Sequence, residues 1–284
     1  MAIELNGIIS QIAADVSSHY NVPVPLSTIA ESEDIKVFYD DYGKSTFDGL
    51  TWFEPSTDDF YIHLNTNPFK RNFPKTTKGR FTLAHELGHY FIPYHRKGLM
   101  NGSLKPHGSI NYLVNQAAWK IEREADAFAS MLLMPYESVR VFIKRKPFSF
   151  ELIEELALTY NVSKSAAALR YVDIGDTPIM VVYAVNGKIR WTSHRDDFPF
   201  WRLKYGSGKG NKVPEYTVMG TFFYDKDDSD CNSEETIFAK DCFDTPREED
   251  NNREFYEWCI PYYCCPVKPG FRDFSFRNPS KTGT

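Results

Sequence analysis

The stretch Phe81-Thr-Leu-Ala-His-Glu-Leu-Gly-His-Tyr-Phe91 constrains this chain more than any other. Residues four apart lie about one turn apart on an α-helix and share a face, so His85 and His89 can grip one metal ion. Glu86 stands one step round the same turn, where a carboxylate can reach a water on that metal and act as a general base. Apolar neighbours Phe81, Leu83, Ala84, Leu87, Tyr90 and Phe91 predict a buried helix, which argues against two stray surface histidines.

Two histidines do not complete such a site, because a catalytic zinc normally takes three protein ligands and keeps a fourth position open. His95 stands six residues after His89, the spacing of the longer pattern His-Glu-x-x-His-x-x-Gly-x-x-His. That pattern needs a turning glycine where this chain has Ile92, so His95 is set aside. The better source is a helix predicted from about Tyr112 to Met134, with Ile121, Ala125, Phe128 and Leu132 as its buried stripe. Glu122 and Asp126 lie one turn apart at the edge of that stripe. In this Glu-x-x-x-Asp arrangement the glutamate binds zinc and the aspartate hydrogen-bonds the free nitrogen of a ligand histidine. Glu124 lies about 200° round the helix from Glu122, so only one of the two faces the metal. Glu122 is preferred because it alone has a carboxylate partner one turn on, which leaves Glu124 as a solvated charge.

The rest of the chain is read around this pair of helices. Apolar spacing predicts a first helix over residues 4 to 20 and a short one near Leu26 to Glu31. Ile35 to Tyr39, Gly49 to Phe53 and Asp59 to Leu64 read as strands, with Phe60 to Leu64 a candidate exposed edge for an extended substrate. The basic run Lys70, Arg71, Lys75, Lys78 and Arg80 reads as a solvated face, and residues 94 to 110 as a loop. Phe150 to Tyr171 reads as helix, turn, helix, with Asn161 and Ser163 at the turn. Its second helix offers few base-reading side chains, so direct DNA binding is not favoured. Asn186-Gly187 between two β-rich runs is a strong hairpin signal, and Tyr216 to Tyr224, Thr236 to Phe243 and Glu254 to Tyr263 look like further strands. The expected organisation is α+β in two domains: residues 1 to 174, including a helix-turn-helix-like segment at 150 to 172, and a β-rich domain from 175 to 284.

Composition narrows the classes. An apolar fraction of 42% and a charged fraction of 25% are those of a soluble globular protein, with no run near the ~18 apolar residues of a membrane span. No basic-then-apolar leader stands at the start, which predicts a cytoplasmic home. A net charge of −5 disfavours nonspecific coating of nucleic acid and points to protein partners. Cys231, Cys242, Cys259, Cys264 and Cys265 are odd in number and fall in the last quarter of the chain, which reads as a local thiol cluster in a reduced compartment. Cys242, Cys259, Cys264 and Cys265 lack a paired Cys-x-x-Cys signature and read as buried thiols rather than a second metal site or redox switch. Tyr205 to Lys212 lacks phosphate-loop spacing, and Asp225 to Asp230 begins like a calcium loop but has Asp230 where a glycine is required.

Arg80-Phe-Thr-Leu-Ala-His-Glu-Leu-Gly-His89, followed by Glu122-Arg-Glu-Ala-Asp-Ala-Phe-Ala-Ser-Met-Leu-Leu-Met-Pro135, resembles the paired signature of the ImmA/IrrE metallopeptidases. The likeness covers about residues 1 to 173 and fades beyond. It implies a zincin-like fold, one catalytic Zn2+ held by His85, His89 and Glu122, and Glu86 as base. It also implies cleavage of a helix-turn-helix repressor that governs stress, mobile-element or phage-defence genes. Members usually carry Asn where this chain has Asp126, a conservative change for a hydrogen-bond acceptor. The oxyanion-stabilising group stays open among His95, His107 and several tyrosines. The β-rich domain is expected to sense a signal or select the substrate. The rival reading is a non-proteolytic regulator in which zinc stabilises a protein-binding or DNA-binding module.

Overall fold

A computed structural model describes residues 2–44, 46–67, 70–104, 116–206, 208–231, 233–263 and 271–279. The architecture is α+β. By contacts the chain divides into two compact units, Met1–Lys144 with Glu155–Ala166, and Arg145–Glu154 with Ala167–Thr284. The division therefore falls between Lys144 and Arg145 and again within each of the two helices of the helix-turn-helix-like segment.

In the first unit, α1 (Ala2–Ser17) buries Ile9 and Ala13, and α2 (Leu26–Ser32) buries Leu26, Ile29 and Ala30. Strands β1 (Lys36–Asp40), β2 (Gly49–Glu54) and β3 (Asp59–Asn65) form a sheet in the order β1-β3-β2. β3 runs parallel to β1 and antiparallel to β2. This corrects the expectation that Phe60 to Leu64 is an edge: Phe60, Ile62 and Leu64 alternate into the core, and burying them places β3 in the middle. Helix α3 (Thr77–Phe91) follows, capped by the Thr76 hydroxyl, which accepts from the Gly79 N–H at 2.9 Å.

The loop expected from residue 94 begins instead as helix α4 (Pro93–Met100), with Pro93 at the first position, where a missing N–H costs nothing. Residues 105 to 115 lie outside the described part. Helix α5 (Gln116–Leu133) buries Ala125, Phe128 and Leu132 and packs against α3 and α1. α6 (Tyr136–Ile143) starts directly after Pro135. The basic run is only partly a solvated face. Half-buried Arg80 donates to the Val24 and Asn161 carbonyls, and Lys78 pairs with Asp48.

Helices α7 (Phe150–Tyr160) and α8 (Lys164–Ile174) meet at Asn161, whose φ of 50° ends the first, and at Ser163, whose hydroxyl accepts from the Ala166 N–H. In the second unit, β4 (Met180–Val185) and β5 (Lys188–His194) form a hairpin through Asn186 and Gly187, both at positive φ as a type I′ turn requires.

The run Tyr216 to Tyr224 is not a strand but helix α9 (Val218–Tyr224). Two acceptors hold its N-terminus: Thr217 takes the Gly220 N–H, and the buried Glu257 carboxylate takes the Val218 N–H. The run Thr236 to Phe243 splits into β6 (Glu235–Phe238) and the single turn α10 (Ala239–Cys242). β7 (Glu254–Tyr263) and β8 (Phe271–Pro279) complete an antiparallel sheet in the order β5-β4-β8-β7-β6. Its core includes Met180, Val182, Ala184, Phe198, Phe200, Phe243 and Phe255, with Cys242 and Cys259 fully buried and Cys231 at the edge. Cys264 and Cys265 lie outside the described residues.

Candidate metal centre

Helix α3 is buried along most of its length, including His85, Glu86 and His89. It lies against α5 at Gly88, where a Cβ would stand 3.1 Å from Phe128 Cδ1 and 3.2 Å from Ala125 Cα. A larger residue there would hold the helices apart. This close crossing carries Glu122, one turn before Ala125, up to the two histidines. His85 Nε2 is 3.2 Å from His89 Nε2 and 3.3 Å from Glu122 Oε2, and His89 Nε2 is 3.5 Å from Glu122 Oε1.

These three buried residues are the one group among the described residues that could hold a metal ion. The donors fit one. A four-coordinate ion with nitrogen and oxygen ligands at about 2.0–2.1 Å sets neighbouring ligand atoms about 3.3 Å apart, which matches the triangle found here. Two imidazoles and a carboxylate also suit zinc chemically.

Asp126 accepts from the other side of the ring, with Oδ1 2.8 Å from His85 Nδ1. It fixes the tautomer and turns Nε2 toward the cluster. Burial opposes a charge on His85, but its hydrogen bonds to Asp126 and Glu122, with the field of Glu86, outweigh it and push the imidazole pKa up to about 10. The cluster thus already favours a positive charge at this point.

Glu86 reaches the sheet. Its Oε2 accepts from the Thr51 hydroxyl of β2 at 2.7 Å, and its side chain lies over Gly49. Sequence reasoning missed both β2 residues.

His95 is fully buried and its ring centroid lies 5.2 Å from that of His89, yet it does not join the cluster. Its Nε2 sits 3.1 Å from Glu124 Oε2, and burial keeps its pKa below the usual histidine value despite that carboxylate. Glu124 is therefore not a solvated charge. α4, unforeseen as a helix, brings His95 and Tyr94 to it, and Lys120 lies 3.7 Å away. His107, the other histidine considered for the oxyanion, is outside the described residues.

A family profile described as the IrrE N-terminal-like domain of the M78 peptidases matches residues 30–171, half of the chain, and spans both histidines, Glu86, Glu122 and Asp126. The chain belongs to the M78 peptidase family. Among solved structures, this family member is similar to a Mycobacterium tuberculosis transcriptional regulator, with a TM-score of 0.58 and 12% identity over 97% of this chain and 76% of that one. At that identity the likeness is one of fold. A search of curated proteins gave no match. No helix among the described residues of this M78 peptidase is long and apolar enough to cross a membrane.

Proposed function

We propose that this chain is a cytoplasmic zinc-dependent endopeptidase whose substrate is a helix-turn-helix transcriptional repressor, cleaved to release stress, mobile-element or phage-defence genes. The observation that carries the enzymatic reading is the buried triangle of His85, His89 and Glu122 with Glu86 on the same helix turn. Membership in a peptidase family supports hydrolysis, and a solved neighbour titled a transcriptional regulator agrees with work in gene control.

His85, His89 and Glu122 would hold the ion. Bound there, zinc supplies Lewis acidity and lowers the pKa of its water to about 7. Asp126 keeps the His85 Nδ1 proton engaged so that Nε2 is the ligand atom. Glu86 takes the proton of the attacking water on its carboxylate and delivers it to the leaving amine nitrogen. No described strand pairs with the outer edge of β2, which runs beside Glu86, and an extended peptide can add there. The β-rich unit is assigned the sensing or substrate-selecting role.

The rival is a regulator in which zinc only stabilises a binding module. A structural zinc is closed by four protein ligands and has no use for Glu86. The deciding experiment incubates zinc-loaded protein with helix-turn-helix repressors encoded beside its gene and reads fragments by mass spectrometry. Cleavage by the wild type, reduced about 10²–10⁴-fold in Glu86→Gln, is expected. Undiminished cleavage by the variant overturns the role of Glu86, and intact repressors throughout favour the rival.

A further inference from the structure

A buried glutamate on a helix has several rotamers, and a general base serves only in the one that meets the reacting proton. β2 contributes to that selection: Gly49, Thr51 and Phe53 alternate onto the side of the sheet that faces the helix. Thr51 is 4% exposed and Glu86 3%, so their contact is dry. The Thr51 hydroxyl lies 2.7 Å from Glu86 Oε2 and 3.1 Å from the Glu86 carbonyl oxygen. It has one proton to give, and the carboxylate is the stronger acceptor at a charge-assisted distance. Two residues earlier, a Cβ on Gly49 would stand 2.4 Å from Glu86 Oε1, 2.8 Å from its Cγ and 2.8 Å from Thr82 Cγ2. The carboxylate therefore occupies the space that any side chain at 49 would fill.

We propose that Gly49 and Thr51 form a seat for the general base: the missing side chain at 49 makes room for the Glu86 carboxylate, and the Thr51 hydroxyl fixes its orientation. Both are positioning residues that act through Glu86. The proposal rests on the peptidase reading for its kinetic consequence but not for the seat itself. Neither residue is among the three that could hold the metal, so the seat and metal uptake are separable.

The test has two arms. In the first, Thr51→Val, Thr51→Ser and Gly49→Ala are compared with the wild type for zinc affinity, kcat and KM on whichever repressor the wild type cleaves. Thr51→Val keeps the shape without the donor and should lose about 10–100-fold in kcat with KM and zinc Kd within about twofold. Thr51→Ser should recover most of the loss, and Gly49→Ala should lose at least as much as Thr51→Val. A Thr51→Val enzyme with wild-type kcat, or a serine variant no better than valine, overturns the proposal. A rise in KM with kcat intact also overturns it, by assigning β2 to substrate binding alone.

The second arm needs no activity. Urea unfolding of metal-free Thr51→Val, Glu86→Gln and the double variant should show coupling, with the second substitution costing less once the first is made. Additive effects overturn the seat. Coupling in a protein that cleaves nothing keeps the seat and removes only the peptidase reading. Circular dichroism separates either result from misfolding.

Discussion

Asp126 illustrates how much a single exposed oxygen can govern. Its side chain is about half exposed, yet it holds the Nδ1 of a buried histidine at 2.8 Å. Partners of metal-binding histidines are worth about 10–100-fold in metal affinity, so Asp126→Ala should weaken zinc binding by that factor in a chelator competition, while Asp126→Asn loses less. His63 offers a second test at this scale. Its Nδ1 lies 2.6 Å from the Tyr42 hydroxyl, an arrangement suited to a neutral ring accepting the phenolic proton, and burial lowers its pKa. A histidine with a depressed folded pKa binds more protons when unfolded. Its contribution is complete above the unfolded value of about 6.5 and is lost as pH falls through that value toward the folded one. The stability difference between wild type and His63→Gln, read from urea midpoints, should therefore shrink as pH falls from about 7 to 5, whatever the other histidines contribute to both proteins.

What the sequence made legible at this scale was spacing within one helix. The pairs His85 and His89, and Glu122 and Asp126, could be read because helical periodicity puts each on a known face. Thr51 could not, because its partner lies 35 positions away on a different kind of element and alternation along a strand says nothing of what faces it.

Among elements, the joining of α3 and α5 depends on the absence of a side chain at Gly88. Gly88→Leu should push α5 outward, cost about 1–3 kcal/mol by overpacking, and lower zinc affinity about 10-fold or more. Thermal denaturation and metal titration of the same variant check both. An unchanged zinc Kd would mean that Glu122 reaches the histidines without the close crossing. Long periodic helices were legible at this level, and short elements were not. α9 looks like a strand in its run of aromatic residues, but hydrogen bonds from its first N–H groups to Thr217 and the distant Glu257 outweigh that preference. α4 was hidden because the glycines around it signal a loop while its helix needs only a proline start.

For the whole molecule, the chain enters the second unit at Arg145, returns to the first at Glu155 and leaves it again after Ala166. A sequence boundary placed at a change of composition cannot reveal such a path, because the second and third crossings lie inside helices α7 and α8. Within the second unit, the Phe148 ring lies 4.9 Å from Tyr171 and 5.6 Å from Trp258. A fragment ending at residue 174 keeps the first two and loses the third. It should bind a hydrophobic dye and aggregate where the full chain does not, as fluorescence and light scattering can show. A soluble fragment that excludes the dye would mean that residues 145–154 and 167–174 need no partner from the β-rich unit.

The donor triangle also sets an order of events during synthesis. A growing chain that has released only α3 holds two imidazoles on one turn, and its third donor does not yet exist outside the ribosome. Full metal capture waits until α5 has emerged and packed at Gly88, since domains form from the N-terminal side as they are made. On the proposed peptidase reading, a nascent chain of this design would stay inert until the helix carrying Glu122 arrives.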